Sequence, residues 1–141
     1  MTIMIIDDDA DDRSMFAEAL MEINELIHLI PMVSCEKAIE YFNNKSAAIP
    51  DIIFLDINMP TMNGWQCLDN LREMASTKQI PVVIYTTSQS EENYEKVKNM
   101  EATYFLSKPS KFKELVKALV VVIDKEWEKL DAMIEFKNKK K

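Results

Sequence analysis

The chain has 141 residues, 48% apolar and 29% charged, the size and balance of one soluble domain with a full core. Its net charge of -7 and its two arginines, Arg13 and Arg72, argue against a nucleic-acid face, where Lys and Arg would cluster. No apolar stretch approaches the ~20 residues of a membrane span. The apolar run Ile3–Ile6 is too short for a signal peptide and runs directly into acids, so a cytoplasmic protein is expected. Cys35 and Cys67 are isolated, and both are expected to be reduced core thiols. The lone His28 has no partner at metal-ligand spacing.

Apolar runs alternate with helical patterns five times, the rhythm of βαβ units and a parallel sheet. The first predicted strand is Thr2–Ile6. The helix after it carries Phe16, Ala19, Leu20, Ile23 and Ile27 at helical spacing, and Asp9, Asp11 and Asp12 suit its positive N-terminal end. A second strand lies near Ile27–Val33, and Ser34 caps a short helix through about Asn43 with Ala38, Ile39 and Phe42 inward. Asp51–Leu55 forms the third strand. A loop with Pro60 and Gly64, the only glycine, leads to a helix bearing Trp65, Leu68 and Leu71. Pro81 opens the fourth strand, Val82–Tyr85. A polar helix from about Glu91 to Asn99 follows; its few apolar residues, Tyr94, Val97 and Met100, anchor it loosely. The fifth strand is about Thr103–Leu106, and a long final helix begins near Ser110 with Leu115, Val116, Leu119, Val120 and Ile123 inward. Near-continuous apolar strands imply a sheet buried on both faces, hence helices on both sides.

The strands end in residues that belong together chemically. The first runs into Asp7-Asp8-Asp9, the third ends at Asp56, the fourth at Thr86-Thr87, and the fifth leads to Lys108-Pro109. In a parallel α/β sheet the carboxyl ends of the strands line one edge, where sites form. Gathered carboxylates raise one another's pKa unless a cation joins them, and an all-oxygen set suits Mg²⁺. Asp56 is the natural nucleophile for a phosphoryl group; Lys108 supplies a cation and Thr86 a hydroxyl. Asp9, Asp11 and Asp12 are read as helix-capping residues.

The segments IIDDDADDR, DIIFLDINMPTMNGWQCLDNLR, PVVIYTTS and FLSKPSKFKEL together resemble the receiver domain of two-component response regulators, over about residues 2–124. The resemblance implies a doubly wound, flavodoxin-like five-stranded parallel sheet in the order 2-1-3-4-5. It implies Asp56 as phosphoacceptor, with Mg²⁺ held by Asp7, Asp8, Asp56 and the backbone carbonyl of Asn58. Thr86 would be the switch hydroxyl, Thr87 the adjacent small residue, and Lys108 the lysine that meets the phosphoryl group. A histidine kinase or histidine phosphotransfer protein would be the donor. The aromatic switch position is Phe105, which has no hydroxyl, and Glu101 stands where a glycine is usual. Tyr104 would point to the opposite sheet face from Phe105.

Residues 1–124 would then be the receiver domain, and 125–141 a helical extension with a lysine-rich tail. The apolar pattern of the last helix continues as Trp127, Leu130 and Ile134, beyond the reach of the sheet, as a core-folded end or as a contact for a partner or second copy. With no following domain, the expected output is protein contact, not catalysis. A docking module of the same fold that takes no phosphate is one alternative. A haloacid-dehalogenase-type phosphatase is another, though there the nucleophile precedes the acid pair, and here the acid pair comes first.

Overall fold

The structure, a computed structural model, describes residues 1–87 and 104–139, with side chains described as far as residue 126. The described residues form five strands: β1 (Thr2–Ile6), β2 (His28–Met32), β3 (Ile52–Leu55), β4 (Val82–Thr86) and β5 (Tyr104–Ser107). The described helices are α1 (Ala10–Ile23), α2 (Cys35–Asn43), α3 (Gly64–Glu73) and α4 (Phe112–Lys139). All strand pairs are parallel, in the order β2-β1-β3-β4-β5. The expected polar helix near Glu91–Asn99 and the expected turn at Glu101 lie outside the described residues.

Side-chain alternation sorts the sheet into two cores. Met4, Ile6, Ile53, Leu55, Val82 and Ile84 pack against α2 and α3 through Ala38, Phe42, Leu68 and Leu71. Ile3, Ile5, Ile52, Phe54, Val83 and Tyr85 pack against α1 and α4 through Phe16, Ala19, Leu20, Leu115, Leu119 and Ile123. The Phe16 ring meets Phe54 edge-on at 4.9 Å and Tyr85 at 5.6 Å, the arrangement that aromatic quadrupoles favour. The inner strands β1, β3 and β4 are buried on both faces, so they read as nearly unbroken apolar runs.

Local chemistry sets the helix starts. The Asp9 carboxylate accepts from the backbone N–H groups of Asp11 and Asp12, and Ser34 accepts from that of Lys37. Asn63 and Gln66 satisfy each other's backbone N–H at the start of α3, a reciprocal cap that the sequence reading missed. Helix α1 stops at Ile23, where Asn24 leaves helical geometry, so Ile27 packs on the core from outside the helix. In α4 the fourth inward position is Val122, not Val120, and Glu126 also falls on the buried side.

Cys35 and Cys67 are not the reduced thiols expected. They are joined in a disulfide, with Cα atoms 5.7 Å apart. The cysteines are 32 residues apart in sequence, but α2 and α3 cover the same sheet face and aim both into one core. That juxtaposition is tertiary, and no spacing rule announces it.

Candidate functional site

Three site residues enter the crevice by extending the sheet ladder one step past the strands. The N–H of Asp7 donates to Met32 O at 3.0 Å, that of Asp56 to Ile6 O at 3.0 Å, and that of Lys108 to Thr86 O at 2.9 Å. The register that pairs Ile6 with Leu55, Leu55 with Ile84 and Thr86 with Ser107 therefore brings residues up to 101 positions apart to one edge.

Lys108 is the centre of the arrangement. Its Nζ lies 2.8 Å from Asp7 Oδ2, 2.8 Å from Asp12 Oδ2 and 3.1 Å from Asp56 Oδ2. Its side chain is only 7% exposed, and the side chains of Asp7 and Asp56 are buried with it, so these are desolvated charge pairs and not surface ones. The ammonium also lies 5.3 Å from the centre of the Tyr85 ring. The remaining acceptors are satisfied from the backbone. Asp7 Oδ1 accepts from the N–H of Asp9 at 3.0 Å, and Asp56 Oδ1 from that of Asn58 at 3.0 Å. Arg13 Nη1 donates to the Asp7 carbonyl at 2.7 Å and steadies the loop. Asn58 Nδ2 donates to Thr86 Oγ1 at 3.0 Å and links the β3 loop to the end of β4.

The electrostatics follow from burial and from the amine. Burial pushes the Asp7 carboxyl above its usual range, against the opposing pull of Lys108. Burial alone would favour a neutral Lys108, but its bonds to Asp12 and Asp7 and the charge of Asp56 outweigh that, and the ammonium is held above the usual lysine range. Burial also pushes the Tyr85 hydroxyl up, so it stays protonated.

Gly64 is required by a close approach. A Cβ there would overlap the Cα of Ile57 and stand 2.6 Å from the carbonyl oxygen of Asp56. The N–H of Gly64 donates to Ile57 O at 3.1 Å, so the start of α3 lies directly against the Asp56 loop.

Asp7, Asp56, Asn58, Thr86 and Lys108 thus meet at one edge. Asp8 is exposed, yet a carboxylate oxygen of it lies within 4.8 Å of those of Asp7 and Asp56. These three carboxylates form an all-oxygen donor set that fits Mg²⁺. Thr87 is exposed beside Thr86. Phe105 is half-buried and packs on the core under α2 and α3, while Tyr104 packs on the opposite one. Asp12 keeps its expected place in the acidic first turn of α1, but it is not the N-cap. The true cap is Asp9, and the Asp12 side chain reaches Lys108 instead.

The comparisons agree with this geometry. Residues 3–120 match the family described as response regulator receiver domain. Response regulator Rcp1 of Synechocystis is 29% identical over 132 residues, covering 89% of this chain and 87% of that protein. Protein PilH of Pseudomonas aeruginosa is 36% identical over 74 residues, covering 52% of this chain and 61% of that protein, less than two thirds of its length. Among solved structures, the Mn²⁺-bound form of Rcp1 superimposes with a TM-score of 0.74 at 25% identity, covering 83% of this chain and 87% of that one. Vibrio cholerae chemotaxis protein CheY4 does so with a TM-score of 0.72 at 26% identity, covering 86% and 97%. With sheet order, acidic crevice and sequence match in agreement, this chain belongs to the response regulator receiver domain family of two-component systems.

Proposed function

We propose that Asp56 accepts a phosphoryl group from a phosphohistidine on a histidine kinase or phosphotransfer protein, and that the modified domain switches its protein contacts. The observation that carries this reading is the buried meeting of the Lys108 ammonium with Asp7 and Asp56, built from three strand ends. In the transfer, the P–N bond of the phosphohistidine breaks as a P–O bond to the Asp56 carboxylate forms. The imidazole leaves with the electron pair. Asp7, Asp8, Asp56 and the Asn58 carbonyl would hold Mg²⁺, which neutralises phosphoryl charge when bound. The Mn²⁺-bound form of Rcp1 is consistent with a divalent ion in this fold.

The chain's own residues do the rest. Lys108 offers its N–H donors to the phosphoryl oxygens in place of Asp56 Oδ2. Thr86 turns its hydroxyl from Asn58 toward the new anion, with Thr87 beside it at the mouth of the pocket. The added charge, about -1.5 to -2, then biases β4, β5 and the half-buried Phe105 ring between two packings. Residues 1–124 act as the receiver and 125–141 as an extension that supplies a contact surface for a partner or a second copy. The domain works in the cytoplasm as a signalling element, not an enzyme. Among the described residues no helix is long and apolar enough to cross a membrane.

The test is a small phosphodonor with Mg²⁺, read by intact mass. The wild type gains one phosphoryl group and Asp56→Asn gains none. Equal uptake by Asp56→Asn would remove the assignment.

A further inference from the structure

An ammonium group has three N–H donors, and in this site three carboxylates surround it. Asp7 and Asp56 belong with Asp8 to the acidic group that fits a divalent ion. Asp12 stands apart from them. It projects from the first turn of α1, its side chain is 37% exposed, and its Oδ2 lies 2.8 Å from Lys108 Nζ.

We propose that Asp12 is a positioning residue for phosphoryl transfer, acting through Lys108: its carboxylate holds the ammonium in the resting state and competes for it with the incoming phosphoryl oxygens. This rests on the reading of Asp56 as phosphoacceptor. Two effects act in the same direction. Asp12 occupies one donor of Lys108, and its negative charge stands one ammonium away from the anion that must form on Asp56. An opposite role, in which Asp12 keeps Lys108 in place, carries less weight. The lysine side chain is 7% exposed, its backbone N–H is bonded to Thr86 O, and its Nζ is bonded to Asp7 and lies over the Tyr85 ring. Those contacts hold it without Asp12, so competition outweighs support.

The experiment is a calorimetric titration of the full chain with beryllofluoride in excess Mg²⁺. Asp12→Asn preserves size and removes the charge. Its beryllofluoride affinity should rise about threefold to tenfold, the range for a partly screened charge at this distance. Asp12→Glu should return the affinity toward the wild type. Mg²⁺ alone should bind Asp12→Asn no more tightly than the wild type, because losing a negative charge does not favour a cation. A merely structural role in α1 would move both ligands the same way. An affinity for beryllofluoride equal to or below that of the wild type overturns the inference, and so does a parallel rise for Mg²⁺. No beryllofluoride binding by the wild type removes the reading of Asp56 as well, which separates the two failures.

Discussion

Replacing Gly64 by alanine sets two principles against each other. Gly64 opens α3, and in an ordinary exposed helix the change to alanine stabilises by about 1 kcal/mol. Here the new methyl would overlap the Cα of Ile57 and lie 2.6 Å from the Asp56 carbonyl oxygen. Both are backbone atoms, so no side chain can swing away. Overpacking of this kind costs about 1–3 kcal/mol, and backbone overlap belongs at the upper end or beyond. The clash exceeds the helix term, leaving a net loss of about 2 kcal/mol. For a chain of this size that corresponds to a fall of roughly 5–10 °C in Tm. Urea unfolding of wild type and Gly64→Ala should show a lower midpoint at an unchanged slope. Because the displaced backbone carries Asp56, phosphoryl uptake should slow as well. A midpoint equal to or above the wild type would mean that α3 does not press on this loop, and the account of the close approach would be wrong.

Other outcomes follow from the same contacts. Lys108→Met removes a charge-assisted donor worth about 1.5–3 kcal/mol, so beryllofluoride affinity should fall about tenfold or more, while Mg²⁺ alone binds more tightly; a joint loss would point to collapse of the pocket. The disulfide closes a loop spanning 32 positions, for which chain entropy assigns about 3–4 kcal/mol. Reductant should therefore lower the urea midpoint, with Cys35→Ala insensitive to it; identical wild-type midpoints with and without reductant would contradict the bond. Truncation after Lys125 removes the apolar positions Trp127, Leu130 and Ile134. The solution mass should drop from dimer to monomer if the extension joins two copies, and an unchanged mass counts against it.

Much of the fold was legible because its signals are local. Strand β1 and the Ser34 cap of α2 follow from apolar runs and a capping hydroxyl, and the bounds of these two elements agree within a residue. The sheet order followed from the family resemblance carried by Asp7-Asp8, Asp56, Thr86 and Lys108, and their meeting at one edge followed from the geometry of parallel strands. Inward positions on α4 were less readable, since an almost continuous apolar run at Leu119–Ile123 has no polar phase to show which side faces the sheet.

What only the tertiary structure decided lies between elements. The pairing of Cys35 with Cys67 depends on two helices lying on one face, and the need for Gly64 depends on a loop passing beneath it. The contact of Asp12 with Lys108 depends on a lysine arriving from 96 residues away. Sequence patterns report what each segment does with its own backbone and with water. Which side chains share a counter-ion is determined by distances that exist only once the sheet has closed its strands side by side.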